Sequence, residues 1–223
     1  GVQDFDPLVQ DIIHRVQSVA QVRRVTDHAR AIGFQSIGYD LVHGLPRQTH
    51  EGLTRTLDEV VALGPDRISF YAYAHVPWLK NGQRRFTEAD LPSAPERQGL
   101  YRLGRQRLEQ AGYRDVGMDH FARPTDALAR ALDDATLHRN FMGYTVRRVE
   151  PLIGLGVSAI GDAWTAFAQN EKVLEDYQAR VARGELPLMR GHVLDREDLA
   201  LRRCILDLMT RWSTAWPVTF GDD

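Results

Sequence analysis

Residues 35–75 limit what this chain can become more than any other stretch. An apolar run at 35–43 (Gln-Ser-Ile-Gly-Tyr-Asp-Leu-Val-His) leads into Gly44-Leu45-Pro46. Thr49 then precedes a helical stripe of Leu53, Leu57, Val60 and Val61, which Gly64-Pro65 stops. A run of strong β composition, 67–75 (Arg-Ile-Ser-Phe-Tyr-Ala-Tyr-Ala-His), follows at once. Strand, helix and strand joined by short links require a parallel pair with a right-handed crossover. Helices are also expected upstream, at 8–16 behind Asp6-Pro7 and at 21–32 before Gly33. The fold class is therefore α/β, either doubly wound or barrel.

Asp40 stands out within the first strand. Ile37, Tyr39 and Leu41 fall on one face, and Ser36, Gly38 and Asp40 on the other. A carboxylate among apolar neighbours needs a reason, because desolvating it unpaired is costly. Two readings stand at this point: a buried acid paired with a nearby Arg or Lys, and a ligand-binding carboxylate at the C-terminal end of a barrel strand.

The remainder of the chain is more mixed. Residues 76–93 hold Pro77, Trp78, Arg84, Arg85 and Pro92 with little periodicity, and a stretch this long is functional or disordered. A helix is expected at 94–111, a short strand at 113–118 and a short helix at 125–135. Residues 149–161 are rich in glycine and small apolar residues. Further helices are expected at about 171–183 and after Asp195, where Leu201, Cys204, Ile205, Leu208, Met209 and Trp212 form one stripe. Cys204 is expected in the core as a packed thiol. The chain stops at Gly221-Asp222-Asp223 without a closing element, opens without Met, and reads as a piece of something longer.

Composition excludes several classes. The net charge is −2, from 28 basic and 30 acidic residues, which gives no argument for nucleic acid or a membrane as partner. No apolar run is long enough to span a bilayer. A single cysteine makes no internal disulfide and, alone, holds no metal cluster, so a reducing cytoplasmic setting is expected. His43, His75, His120 and His138 lack metal-ligand spacing. The scattered Arg84, Arg85, Arg123, Arg139, Arg147 and Arg148 would suit a ligand with several carboxylates if they shared a cleft.

Taken together, several strings resemble one family. They are GVQDFDPLVQ (1–10), DLVHGLPRQT (40–49), YAHVP (73–77), QRRFTEADLPS (83–93), GMDHFARPTD (117–126), LHRNFMGYT (137–145), GLGVSAIGD (154–162) and AQNEK (168–172). In this order they are similar to the oxygen-independent coproporphyrinogen III oxidases, which are radical S-adenosylmethionine (SAM) enzymes. The resemblance covers residues 1–212. It implies a partial (β/α) barrel over 1–92, followed by a mainly α-helical family-specific region over 93–223. The implied activity is oxidative decarboxylation of two propionates of coproporphyrinogen III to give protoporphyrinogen IX, using SAM and a [4Fe–4S] cluster. The other implied partner is an electron donor, and the intact parent is expected to be a monomer.

Carried over residue by residue, the resemblance assigns SAM contacts to Gln3, Arg15, Asp40, Ala74 and Ile160. Asp40 would accept from ribose hydroxyls and Arg15 would pair with the SAM carboxylate. Phe141 and Arg139 lie in the family's active-site segment and are candidates for the substrate pocket. The departures are also specific. The family's three cluster cysteines have no counterpart here, so no metal ligand is assigned and this chain alone is expected to be inactive. Met142 stands where the family usually has Gln. A related heme chaperone and a degenerate, non-catalytic homologue are the alternative readings.

Overall fold

The computed structural model describes residues 1–215, so the reading of 221–223 lies outside the described residues. Two compact units divide the chain, the first running from Gly1 to Arg130 and the second beginning at Ala131.

In the first unit, α1 (Pro7–Ile12) starts where Asp6 accepts from the backbone amides of Leu8 and Val9. It is shorter than the 8–16 pattern suggested, because His14 turns to a left-handed φ of 53°. Next come α2 (Val19–Ala31), β1 (Gly38–His43), α3 (His50–Leu63) and β2 (Arg67–Ala72). Thr49 caps α3 through the Gly52 amide, and Gly64 ends it in the left-handed conformation. β1 and β2 pair in parallel, with Asp40 opposite Ser69. α4 (Ala94–Gln110) opens on a capping box between Ser93 and Glu96. β3 (Arg114–Gly117) and β4 (His120–Ala122) complete a sheet of order β1-β2-β4-β3.

One face of this sheet is the core. Tyr39, Leu41, Ile68 and Phe70 pack against Leu53, Leu57 and Val60 of α3 and Leu100 and Leu108 of α4. Burying each such side chain contributes roughly 1.5–3 kcal/mol. Gly104 lets α4 approach closely, since a Cβ there would lie 2.2 Å from Phe70 Cε1. Residues 76–93 are more ordered than their composition implied. They form 3₁₀ turns at Asn81–Arg85 and Glu88–Asp90, and Asp90 pairs with Arg47 at 2.5 Å.

α5 (Ala127–Asp133) crosses the boundary between the units. The second unit then contains β5 (His138–Asn140), β6 (Gly143–Thr145), β7 (Ile160–Asp162), β8 (Ala166–Asn170), α6 (Leu174–Ala182), β9 (Leu188–Val193) and α7 (Arg196–Arg211). β5 and β6 form a hairpin, and β7-β8-β9 an antiparallel sheet. The content of this unit is mixed α/β, so short strands accompany the helices within the 93–223 region that was expected to be mainly helical. Most of these strands are only three to six residues long and lack the alternation that would announce them. Cys204 is buried on α7, as its stripe suggested.

Candidate functional site

Residues 1–4 run alongside β1. The Gln3 amide donates to the Asp40 carbonyl at 2.7 Å, the Val42 amide donates to the Gln3 carbonyl at 3.0 Å, and Gln3 bridges Leu41 in parallel. Gln3 sits at φ 68°, a conformation most non-glycine residues avoid. Gly1 lies against both candidate side chains. A Cβ at Gly1 would come within 2.4 Å of Gln3 Nε2 and 2.9 Å of Asp40 Oδ2. The fold therefore brings the Gln3 amide and the Asp40 carboxylate to one place.

Asp40 is exposed, and the expectation of a desolvated acid is corrected. Its neighbours Tyr39 and Leu41 point into the core, so the strand's alternation sends Asp40 to the open face. Register places Ser69 beside it, and His120 beside Ser69. His120 bonds the Tyr71 hydroxyl at 3.1 Å and the Met118 carbonyl at 2.7 Å. A polar row of Asp40, Ser69 and His120 thus crosses the sheet opposite the core.

What holds this edge in place is a buried network around Asp4, which is wholly inaccessible. Its carboxylate accepts from Thr56 Oγ1 (2.6 Å), Gln48 Nε2 (2.6 Å) and the Asp6 amide (2.7 Å). Gln48 Oε1 accepts from the Gly44 amide at 2.7 Å, and its Nε2 also donates to the Val42 carbonyl at 3.0 Å. One amide side chain thereby ties the Gly-Leu-Pro turn, β1 and the strand-like segment of Gln3 together. No cation touches Asp4 in this network, and burial pushes its carboxyl above the ordinary value despite the three donors.

Arg15 and Ala74 lie in loops rather than in the elements expected of them. Arg15 is exposed beyond the end of α1, its amide donating to the Gln10 carbonyl. Two residues on, Gln17 Nε2 donates to the carbonyls of Gly1 and Val2, which brings this loop over the Gln3 segment. β2 ends at Ala72, so Ala74 and His75 follow it. The Ala74 carbonyl accepts from Gln83 Nε2 at 3.0 Å. His43 is buried against Phe70 and Tyr101, and burial lowers its pKa, consistent with a neutral packed imidazole.

In the second unit, Arg139 and Phe141 line a cavity of about 600 Å³. Its remaining walls include Phe167, Leu201, Ile205 and Met209. Phe141 meets Phe167 edge-on at 5.2 Å. Arg139 lies 4.9 Å over the Tyr144 ring, and its buried Nη1 has no hydrogen-bond partner among the described residues. A smaller space of about 270 Å³ joins Phe141 to Ile160. Met142 sits at the β5–β6 turn and is 85% exposed.

Sequence reasoning missed the group that supports this cavity. Asp162 and Arg202 form a two-point ion pair, at 2.9 and 2.6 Å. Arg202 also donates to the Trp164 carbonyl and lies over the Trp164 and Phe167 rings. Burial raises the Asp162 carboxyl, but Arg202 and the Trp164 amide outweigh it and hold the pKa below the ordinary value. The two residues are 40 positions apart, so only the tertiary fold pairs them.

Among the described residues, no group of three or more His, Cys, Asp or Glu is placed to hold a metal ion, and no helix is long and apolar enough to cross a membrane. No family model matches the chain. An oxygen-independent coproporphyrinogen III oxidase of Pseudomonas aeruginosa is 42% identical over 97% of the chain, which covers 47% of that protein. The oxygen-independent coproporphyrinogen III oxidase of Escherichia coli is 41% identical over the whole chain, which covers 50% of it. A solved structure described as coproporphyrinogen III oxidase (HemN) from Escherichia coli, a radical SAM enzyme, matches with a TM-score of 0.91 and 43% identity. That match covers 94% of this chain and 48% of the other. The chain spans about half the length of the curated relatives it matches. Over nearly all of its own length, in sequence and in structure, it is similar to the oxygen-independent coproporphyrinogen III oxidases.

Proposed function

We propose that this chain is part of a radical SAM enzyme that converts coproporphyrinogen III to protoporphyrinogen IX by oxidative decarboxylation of two propionates. The observation that carries this reading is the agreement of two likenesses over the same residues. Identity of about 42% spans 97% of the chain, and a TM-score of 0.91 spans 94%.

Residues 1–92 are read as the C-terminal portion of a (β/α) barrel. The parallel β1–β2 pair, with helices on its core face and Asp40 on its open face, supports that assignment. Residues 93–223 are read as the family-specific region, part of which, α4, β3 and β4, packs within the first compact unit.

In this reading Gln3, Arg15, Asp40, Ala74 and Ile160 contact SAM. The convergence of Gln3 and Asp40 supports the polar part of that set, offering an amide and a carboxylate to ribose or amino-acid groups. Arg139 and Phe141 belong to the substrate side. A buried guanidinium nitrogen without a partner, beside apolar walls, suits a carboxylate on an apolar ring system.

The residues present do not fit the iron–sulfur cluster. Such clusters need several thiolates, and Cys204 is single and buried. We therefore place the cluster ligands outside these 223 residues and expect the chain alone to be inactive. The test uses the full-length parent. It should release carbon dioxide from coproporphyrinogen III, and Asp40→Ala should weaken SAM binding by at least about tenfold, the loss of a good polar contact, with cluster absorbance unchanged. Unchanged SAM affinity would remove Asp40 from the site. Reconstitution of about four irons in the 223-residue chain would overturn the assignment of the cluster elsewhere.

A further inference from the structure

β5 separates two spaces of opposite character. Arg139 belongs to the largely apolar cavity, while the preceding residue, His138, lines a different cleft of about 560 Å³. Four arginines line that second cleft: Arg147 and Arg148, which follow β6, and Arg203 and Arg211 on α7. Arg148 pairs with Glu150, and Arg211 pairs with Asp207 at 3.3 Å. Arg147 and Arg203 have no carboxylate partner among the described residues. Two positive charges in one concavity are therefore uncompensated.

The local field agrees with this count. His138 is held below its ordinary pKa by burial and then by Arg148 and Arg202. Arg148 is lowered by burial and then by Arg202, with Arg203 adding to the effect. Neighbouring guanidinium charge thus adds to burial in disfavouring the protonated forms of His138 and Arg148. Its aromatic wall is already covered. Trp164 has Arg148 over its ring at 3.2 Å and Arg202 at 4.1 Å, so its ring already carries two guanidinium contacts. What remains is a set of guanidinium donors, whose fork geometry matches carboxylate or phosphate oxygens.

We propose that this cleft is a binding site for a compact polyanion bearing carboxylate or phosphate groups, distinct from the Arg139 cavity. The site lies wholly within the second unit and does not depend on the catalytic reading above. An anion there would compensate Arg147 and Arg203 and bridge the segment after β6 to α7.

Calorimetric titration of the 223-residue chain at low salt tests this, with citrate and tripolyphosphate as separate probes. At least one should bind saturably at a single site, and the affinity should fall as salt rises. The double variant Arg147→Ala/Arg203→Ala, both exposed positions, should weaken binding at least about tenfold, as loss of two charge-assisted contacts implies. The control Arg23→Ala/Arg24→Ala on α2 removes the same charge from exposed positions elsewhere and should change affinity less than about twofold, since screened distant charges contribute little. Binding of citrate alone assigns the site to carboxylates, and of tripolyphosphate alone to phosphates. Either result supports the site. Absence of saturable binding by both probes, or an equal loss in the two double variants, overturns it.

Discussion

The two units are stabilised by different means. The first has a continuous apolar core, with Leu41, Leu53, Leu57, Phe70 and Leu108 fully buried. The second buries few large apolar side chains and leaves Ile153, Leu155, Val193 and Ile205 exposed. Its cross-links are polar. Arg202 pairs with Asp162, Asn170 Nδ2 donates to the carbonyls of Gly154 and Gly156, and the Tyr144 hydroxyl donates to the Met209 carbonyl. Asp4 in the first unit and Asp162 in the second are buried under opposite terms, while the first unit's other buried acid, Asp126, pairs with Arg67 at 2.8 Å. Asp4 is surrounded by neutral donors and its carboxyl is pushed up, whereas Asp162 faces a guanidinium and ends lowered. Asp4 shows that a hydrophobic core tolerates an acid satisfied by neutral donors, while Asp162, under a thinner core, relies on its ion pair.

The contrast breaks most visibly at Arg202. Arg202→Ala leaves a buried carboxylate uncompensated and should cost about 3–5 kcal/mol. Urea unfolding followed through tryptophan emission measures it, since Trp164 lies directly beneath Arg202. Asp4→Ala strands the Thr56 and Gln48 donors and the Asp6 amide, and should cost about 2–3 kcal/mol by the same measurement. Gly104→Ala pushes a methyl into the Phe70 ring and should cost about 1–3 kcal/mol through overpacking, with no effect on polyanion binding.

The smallest effect is in pH, and it has opposite sign for the two acids. Asp4, raised above 3.8 by burial, stabilises the fold fully only below that value, and the contribution is lost as pH rises through the raised folded value. Relative to Asp4→Asn, the wild-type chain should therefore gain stability as pH falls from about 7 toward about 4. Asp162 is lowered, so its contribution is present above 3.8 and lost as pH falls through its folded value. Relative to Asp162→Asn, the wild-type chain should lose stability below about pH 4. Parallel denaturation series at several pH values separate the two slopes.

Helices were legible in the sequence where a cap and a stripe coincide. Asp6-Pro7 before α1, Thr49 with Leu53, Leu57 and Val60, and Asp195 before α7 are local signals, and the structure uses each of them. The β1–α3–β2 crossover was equally legible, because its strands alternate over a buried face. β7, β8 and β9 were not. β9 is exposed along its whole length, so no periodicity marks it. Asp40 was read correctly for face and incorrectly for burial, since apolar neighbours along a strand say nothing about what covers the opposite side. The Gln3–Asp40 convergence was implied by family resemblance. The Asp4–Gln48–Thr56 network and the Asp162–Arg202 pair join residues about forty to fifty positions apart, which no local pattern records.

Gln48 has one further consequence. Its amide is read in both directions at once, oxygen toward the Gly44 amide and nitrogen toward the Asp4 carboxylate. A side chain of the same length satisfies this arrangement only if its two ends differ in polarity. Glu would set carboxylate against carboxylate, and Met would leave both ends silent. Position 48 therefore acts as a directional connector, and the placement of Gln3 beside Asp40 inherits its orientation from a residue that touches neither side chain.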